Sequence, residues 1–251
     1  MKNDTPKLTG KTALITGAAR RIGAVVAQRL HAEGMNVVLH YRGSEQEAQA
    51  LCQSLNAIRR DSAMLAQADL ANLSGFDSLV KTALQWGSLD LLVNNASVFY
   101  PTPIGTVSEA EWDELMGSNL KAPFFLSQAA APYLKQSHGV IINMVDIHAR
   151  RPLREHTLYS TAKAGLAMLT LSLARELGPE VRVNGVAPGP ILWPAQGLDE
   201  QAKQAILDNT ALKRAGSPDD IAGAIVYLVR DADYVTGQII AVDGGRSIGW
   251  Q

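Results

Sequence analysis

The feature that most constrains the fold is a regular alternation of short, wholly apolar runs with longer amphipathic stretches. The short runs, such as Val37–Tyr41 and Val140–Met144, are rich in Val, Ile and Leu and lack the alternation of a half-exposed strand. The longer stretches, such as Glu45–Ile58, repeat their apolar residues with helical spacing. Strands that are buried on both faces and alternate with helices predict a doubly wound parallel sheet, an α/β fold.

No linker rich in proline, glycine or serine divides the 251 residues, so we expect one domain over residues 1–251 with about seven strands. Right-handed crossovers should place the functional residues at the carboxyl ends of these strands, near the reversal of strand order. The predicted strands are Thr12–Thr16, Val37–Tyr41, Ala63–Gln67, Leu89–Val93, Val140–Met144, Val181–Val186 and Gln238–Val242. The predicted helices are Ile22–Glu33, Glu45–Ile58, Phe76–Trp86, Glu109–Leu134, Leu158–Leu177 and Asp219–Val229.

The composition excludes several classes of protein. The formal net charge is −1, which gives no electrostatic basis for nucleic acid or an anionic membrane as the main partner. The longest charge-free stretch, Val183–Leu198, is interrupted by prolines and is too short for a membrane helix. Cys52 has no second cysteine to pair with, which favours a reducing, cytoplasmic compartment. The five histidines share no metal-ligand spacing, so we expect them at the surface or in turns and predict no metal.

The first predicted strand leads into the loop Thr16–Gly23 and then into a helix. Gly17 and Gly23 permit a tight turn and a close approach of the helix N-terminus to a pyrophosphate, which its free N–H groups and dipole favour. The alternative is an ordinary strand-to-helix turn. Because strand, loop and helix come in the required order, the pattern favours a Rossmann-type dinucleotide site.

The second predicted strand ends without the acidic residue that usually binds the ribose 2′-hydroxyl of NAD. Arg42 and Ser44 follow it, and with Arg20 or Arg21 from the first loop they could bind a 2′-phosphate through charge-assisted hydrogen bonds. A solvated surface arginine is the alternative for Arg42. The sequence therefore favours NADPH as the cofactor.

Tyr159 and Lys163 are four residues apart and lie on one face of a predicted helix. A phenol is a poor acid–base group at neutral pH, and a nearby ammonium lowers its pKa because it favours the phenolate. Lys163 could also reach the nicotinamide ribose. The same pair occurs by chance on many helices, and its position after the fifth strand is what favours a catalytic role.

Taken together, these motifs resemble those of the short-chain dehydrogenase/reductase family. The resemblance rests on Gly17, Gly23, Asn94–Ser97, Asn119, Tyr159, Lys163, Pro188 and Gly189, and it extends from about Lys11 to Gly245. It implies an NADP-binding Rossmann domain that transfers hydride, with Tyr159 as the acid–base residue, Lys163 as its activator and Asn119 holding a proton-relay water. It also implies that Asn95 and Ala96 line the adenosine side and that Asp69 and Leu70 flank adenine. The expected cofactor contacts are Gly17, Arg20, Arg21, Ile22, Gly23, His40, Tyr41, Arg42, Ser44, Ala68, Asp69, Leu70, Asn95, Ala96, Ser97, Tyr159, Lys163, Pro188 and Gly189.

Two departures from the general family pattern match its pteridine reductase branch. Arg21 stands where the family usually has a third glycine, and Asp146 stands where it has a catalytic serine, thirteen residues before the tyrosine. His40–Tyr41, Asn95–Pro103 and Met144–Asp146 also resemble that branch. One mismatch remains, because the usual arginine of the second-strand turn is replaced by Gly43, with Arg42 just before it.

The branch implies a pterin or folate substrate and a site made of Arg21, Ser97, Phe99, Asp146, Tyr159 and Leu192. Phe99 would sandwich the pterin ring against the nicotinamide, and Asp146 would join Tyr159 in supplying protons. The alternatives for two of these residues are structural: Phe99 could anchor a loop in the core, and Asp146 could cap a turn.

The sequence therefore favours an NADPH-dependent pteridine reductase. The alternatives are a short-chain carbonyl reductase that acts on a ketone or 3-oxoacyl group, and an inactive NADPH-binding module. A carboxylate such as Asp146 beside a developing alkoxide argues against the first, and the intact catalytic residues argue against the second. The family also implies a homotetramer built partly from the helix after Tyr159. The substrate loop near residues 190–210, including Ile191–Ala205, is expected to set the choice among dihydropterins and dihydrofolate.

Overall fold

The computed structural model describes residues 8–193 and 199–248. Its centre is a seven-stranded sheet in the order β3-β2-β1-β4-β5-β6-β7, in which every neighbouring pair is parallel. The strands are β1 (Thr12–Ile15), β2 (Asn36–Tyr41), β3 (Ala63–Gln67), β4 (Leu91–Asn94), β5 (Val140–Met144), β6 (Arg182–Pro188) and β7 (Ile239–Val242). The predicted doubly wound α/β fold is confirmed, and the strand order reverses between β1 and β4.

Helices cover both faces of the sheet. They are α1 (Arg21–Ala32), α2 (Glu45–Ile58), α3 (Phe76–Ala83), α4 (Glu109–Met116), α5 (Ala122–Ser137), α6 (Thr157–Leu177), α7 (Glu200–Asp208) and α8 (Pro218–Arg230). Successive residues of β1 point to opposite faces. Ala13 and Ile15 pack in the core formed with α1, α2 and α8, whereas Leu14 packs in the core formed with α3, α5 and α6. This double burial explains why β1 is apolar at consecutive positions.

Two helix predictions need correction. The predicted helix Glu109–Leu134 is interrupted, because α4 ends at Met116 and a π-helical turn over Gly117–Lys121 precedes α5. The expected substrate loop near 190–210 contains α7, whose first turn is capped by the Asp199 side chain as it accepts a hydrogen bond from the Ala202 N–H. None of the residues of α7 is buried, and the helix is only nine residues long with two large apolar residues, Ile206 and Leu207, so its apolar pattern is weak in the sequence. The part of the loop over 194–198 lies outside the described residues.

Over residues 8–193 and 199–248, no helix is long and apolar enough to cross a membrane.

Candidate active site

A cleft of about 670 Å³ opens at the carboxyl ends of the central strands, next to the reversal of strand order. Predicted cofactor residues that line it are Gly17, Arg20, Arg21, Ile22, Gly23, His40, Tyr41, Arg42, Ser44, Asp69, Leu70, Asn95, Ala96 and Ser97. Sequence analysis missed Ala19, Gly43, Glu47, Ala71, Val98, Asp113, Glu114, Gly117 and Ser118, which also line it. Four of these nine, Ala19, Gly43, Ala71 and Val98, directly adjoin predicted residues in sequence. Asp113, Glu114, Gly117 and Ser118 come from α4 and the π turn, which only the tertiary fold brings here.

The floor of the cleft needs glycine at two positions. A Cβ atom on Gly23 would lie 2.2 Å from the Gly17 carbonyl oxygen and 2.6 Å from the Asn95 amide nitrogen. Gly17 itself has a φ of +64°, in the left-handed region. Helix α1 begins here with Arg20 as its N-cap, and this residue makes no side-chain capping bond. The N-terminal amides of α1 therefore remain available to an anion, and the cradle fits the pyrophosphate of a dinucleotide.

Arg21 adopts a φ of +55°, a conformation that favours glycine. This explains why the position suits the third glycine of the family pattern. The exposed guanidinium of Arg21 donates a hydrogen bond to the Trp193 carbonyl oxygen at 3.5 Å. Arg21 therefore spans from the phosphate loop to the segment after β6.

His40 connects three strand ends beneath the cleft. Its Nδ1 accepts a hydrogen bond from the Gly17 N–H at 3.1 Å, and its Nε2 lies 3.1 Å from the Ala68 carbonyl oxygen, to which it donates. Burial lowers the pKa of this imidazole to about 4, so the ring is neutral at pH 7. The expectation that all histidines lie at the surface or in turns is wrong for His40 and for His31, which are both 2% exposed. His40 positions the phosphate loop, and both of its ring nitrogens are already used.

Thr16 and Asn95 join the ends of β1 and β4. The Thr16 hydroxyl accepts hydrogen bonds from the N–H groups of Asn95 and Ala96 at 2.9 and 3.0 Å. The Asn95 side-chain amide donates to the carbonyl oxygens of Thr16 and Gly17 at 2.7 and 3.1 Å. The two walls of the cleft are thereby fixed to each other.

The outer end of the cleft is rich in hydrogen-bond donors. Ser44 is the N-cap residue of α2 but makes no side-chain capping bond, so its hydroxyl is available to a ligand. Arg42 is exposed at the end of β2. Arg20 lies 3.9 Å from the Glu47 carboxylate, a solvated surface pair that a phosphate could replace. The arrangement suits an anionic group such as a 2′-phosphate.

The predicted catalytic residues come together at the end of β5 and the start of α6. The Tyr159 hydroxyl donates a hydrogen bond to Oδ2 of Asp146 at 2.7 Å. The other oxygen of Asp146, Oδ1, accepts from the His148 N–H at 2.8 Å, so Asp146 also caps the turn, which was the structural alternative to a catalytic role.

The ionisation of Tyr159 differs from the sequence-based expectation. Burial, the negative charge of Asp146 and the hydrogen bond to it raise the pKa of this phenol well above 10, whereas the nearby Ser97 hydroxyl has a smaller opposing effect. The ammonium of Lys163 lies 5.6 Å from the centre of the Tyr159 ring and donates to the Met144 carbonyl oxygen. The pKa of Tyr159 is therefore raised, whereas the spacing to Lys163 predicted that it would be lowered, and the phenol is protonated at neutral pH.

Asn119 lies in the π-helical turn and is fully buried. Its amide nitrogen donates to the carbonyl oxygens of Val98 and Leu115, at 2.9 and 3.0 Å, and its Oδ1 accepts from the Ser97 hydroxyl at 2.7 Å. Asn119 thus fixes the strand-end segment that carries Ser97 against α4. Its expected role in holding a relay water remains a prediction.

Phe99 is 43% exposed and stacks on His156, with ring centroids 4.6 Å apart and planes at 20°. Its edge contact with Tyr159 has a centroid distance of 4.8 Å and an angle of 80°. The alternative of a core anchor does not fit this exposure, and sequence analysis missed the contact with His156.

Ala68, Pro188, Gly189 and Leu192 do not line the cleft, and neither do the predicted residues Phe99, Asn119, Asp146, Tyr159 and Lys163. Ala68 supplies the carbonyl that binds His40, and Pro188 ends β6. Gly189 packs so closely on Asp243 that a Cβ atom would lie 2.5 Å from its side chain. Leu192, predicted to contact substrate, is 38% exposed just before residues outside the description.

A doubly wound sheet with a glycine cradle at its reversal of strand order and a Tyr–Lys helix beside it defines a nicotinamide-dependent oxidoreductase. The chain belongs to the short-chain dehydrogenase/reductase family. A family model described as enoyl-(acyl carrier protein) reductase matches residues 17–247.

Relatives of known activity point to different substrates. The chain is 36% identical to pteridine reductase 1 of Leishmania tarentolae, over 97% of this chain and 99% of that protein. It is 38% identical to the 3-oxoacyl-[acyl-carrier-protein] reductase FabG of Staphylococcus aureus, over 94% of this chain and 97% of that protein. A solved structure, a blue fluorescent protein from a metagenomic library in complex with NADPH, matches with a TM-score of 0.89 and 36% identity, covering 96% of this chain and 99% of that one.

Proposed function

We propose that this protein is an NADPH-dependent pteridine reductase, which transfers hydride to a C=N bond of a pterin, dihydropterin or folate. The observation that carries the proposal is the carboxylate of Asp146, 2.7 Å from the Tyr159 hydroxyl, at the position where the family usually has serine. The proposal includes a single NADP-binding domain over residues 1–251.

The choice of NADPH rests on the outer end of the cleft. In that region Arg20, Arg42 and the Ser44 hydroxyl offer positive charge and donors, and no acid follows β2 directly. Charge-assisted hydrogen bonds to a 2′-phosphate would favour NADPH over NADH. The similar solved structure contains NADPH, which is consistent with this choice.

When bound, the cofactor supplies the hydride. Once a pterin carbon accepts it, the adjacent ring nitrogen needs a proton, and the high pKa of Tyr159 keeps its phenol protonated and able to donate. Once Tyr159 has donated its proton, Asp146, next to the phenol oxygen, can relay a proton from solvent to the phenolate and so restore the acid. Lys163 would bind the nicotinamide ribose, and Phe99 with Arg21 and Ser97 would hold the flat heterocycle.

A 3-oxoacyl reductase is the second candidate, favoured by the 38% identity to FabG. Reduction of a ketone passes through a developing alkoxide, and a carboxylate next to it is repulsive, whereas the usual serine is neutral. An inactive NADPH-binding module is a weaker alternative, because the Tyr159–Asp146 and Lys163 arrangement is intact.

Steady-state NADPH oxidation with purified protein tests the proposal. We expect turnover with dihydrobiopterin, dihydromonapterin or dihydrofolate, and little with acetoacetyl thioesters or simple ketones. Efficient ketone reduction without any dihydropterin turnover would support the 3-oxoacyl reading, and no turnover with either class would support the inactive module.

We also propose a homotetramer in the cytoplasm. A groove lined by Met116, Leu120, Phe124, Phe125, Met168 and Leu169 lies between α5 and α6, and Met168 is 61% exposed. Exposed apolar surface of this kind is typical of subunit interfaces. Sedimentation equilibrium should give four chains for the wild type and fewer for Met168→Glu.

A further inference from the structure

The segment that carries Phe99 is anchored by the residues on either side of it. Val98 and Tyr100 pack with Leu158 and Tyr159 in one apolar cluster. Phe99, between them in sequence, is instead 43% exposed, and its ring lies nearly perpendicular to that of Tyr159, with the centroids 4.8 Å apart. Anchored on both sides, the Phe99 ring can present a face to the substrate site.

One face of that ring is already covered. The imidazole of His156 lies nearly parallel to it, 4.6 Å away and inclined by 20°. The His156 ring has its own restraint, since Nδ1 donates to the Arg154 carbonyl oxygen at 2.8 Å. The two rings therefore form a stack whose far member is tied to the backbone.

A backbone tether holds the two segments together. Thr102 and His156 form an isolated parallel β-bridge, and the Thr102 N–H donates to the Glu155 carbonyl oxygen at 2.5 Å. Because the bridge lies three residues after Phe99 and directly at His156, the spacing of the two rings follows from the backbone itself. The stacking of the two rings and the β-bridge thus fix the position of the Phe99 ring relative to the His156 ring.

We propose that His156 is a positioning residue for the substrate: it covers one face of Phe99 and fixes the ring plane, so that the opposite face receives a planar heterocycle. The proposal rests on the proposed reduction of pterins, because a flat ligand is what a fixed aromatic face binds. A Phe99 ring without His156 would sample more orientations, and binding would have to restrict them. His156 therefore acts on substrate affinity rather than on the proton or hydride steps.

The test measures dihydrobiopterin binding to the protein saturated with NADP⁺, which forms a ternary complex that has no hydride to transfer. Calorimetry should show affinity about 3- to 10-fold lower for His156→Ala, the range of a lost ring contact. With NADPH, KM should rise by the same factor while kcat and the NADP⁺ affinity stay within twofold. His156→Phe should restore binding, because it keeps a flat ring over Phe99.

Two further variants complete the design. His138→Asn is the matched control, since His138 is an exposed histidine at the end of α5 and its φ of +50° suits asparagine. In a Phe99→Ala background, His156→Ala should cause no additional loss, because its effect passes through Phe99.

The outcomes separate the two proposals. A wild type that reduces dihydrobiopterin while His156→Ala binds it equally well or more tightly would overturn the positioning role alone. Additive losses in the double variant, or failure of His156→Phe to restore binding, would do the same. A wild type that neither binds nor reduces any dihydropterin would contradict the proposed function and the positioning role together.

Discussion

The ammonium of Lys163 donates a hydrogen bond to the backbone carbonyl of Met144 at 2.8 Å. Met144 is the last residue of β5, so this bond ties α6 to the strand that leads into Asp146. Lys163 is 2% exposed, and burial lowers its pKa to about 8 although the charge of Asp146 opposes the change. The side chain is held at the strand end at a cost in desolvation, as expected for a functional cation.

The desolvation cost of the buried Lys163 ammonium should make the free energy of unfolding depend on pH. The folded protein releases the Lys163 proton near pH 8 and the unfolded chain near 10.5, so between these values the unfolded state binds more protons and stability rises with pH. Relative to Lys163→Met, the wild type without cofactor should gain on the order of 3 kcal/mol in unfolding free energy between pH 7 and pH 10.5. Urea unfolding of both proteins measures the difference. If the difference in unfolding free energy between the two proteins does not change with pH, the burial of a charged Lys163 ammonium is contradicted.

His40 should give a dependence of the same sign on pH, but in a lower pH range. Its pKa is about 4 in the folded protein and 6.5 in the unfolded chain, so the unfolded state takes up a proton first as the pH falls, and stability is lost from 6.5 downward. We expect the wild type to lose about 2–3 kcal/mol more than His40→Asn between pH 7.5 and 4.5. His138→Asn is the control, because His138 is exposed and its φ of +50° suits asparagine. Equal losses for all three proteins would argue against a neutral, buried His40.

Local patterns predicted the sheet and the phosphate loop, but not the contacts made across the chain. Strands such as Val140–Met144 were recognisable because both of their faces are buried, and Gly17 and Gly23 because the loop geometry requires them. The stack of His156 on Phe99 depends on the β-bridge at Thr102, which no periodicity reveals.

The same limit explains the remaining errors. His40 looked like a surface or cofactor residue because its partners, Gly17 and Ala68, are distant in sequence. The raised pKa of Tyr159 follows from burial and from the charge of Asp146, whereas the sequence offered only the spacing to Lys163. Asn119 lies in a π turn that the continuous apolar pattern of its region concealed.

Arg42 should discriminate between the two nicotinamide cofactors. Loss of a charge-assisted hydrogen bond to the 2′-phosphate costs about 1.5–3 kcal/mol, so Arg42→Ala should weaken NADPH binding about 10- to 150-fold. NADH affinity should change less than twofold. Fluorescence titration measures both constants, and Arg29→Ala, an exposed arginine in the last turn of α1, is the control. Equal weakening of both cofactors would rule out a 2′-phosphate contact.

Tyr159→Phe should separate cofactor binding from turnover. The variant removes the hydroxyl that donates to Asp146 but keeps the ring against Phe99. Loss of a positioned general acid lowers the rate about 10²- to 10⁴-fold. We expect that loss in kcat for the wild type's best substrate, with NADPH affinity unchanged. Tyr227→Phe, at a half-exposed tyrosine of α8, is the control. A kcat close to that of the wild type would mean that another group supplies the proton.

The decisive variant for substrate class is Asp146→Ser, because serine can still cap the turn at His148 while it removes the carboxylate. A pterin needs a proton on its ring nitrogen after hydride transfer; Tyr159 gives it, and Asp146 can then relay a proton from solvent to the phenolate oxygen. A ketone needs only a neutral hydroxyl at this position, since a carboxylate repels the developing alkoxide. Dihydropterin reduction should therefore fall at least about tenfold in kcat/KM, or more than about 1.4 kcal/mol of transition-state stabilisation, with the NADPH dissociation constant nearly unchanged. Any ketone activity should rise or stay constant in the same preparation. Parallel assays with a dihydropterin and a ketone measure both activities. If Asp146→Ser reduces dihydropterins as fast as the wild type, the carboxylate takes no part in the reaction, and Asp146 no longer favours a pterin over a ketone as substrate.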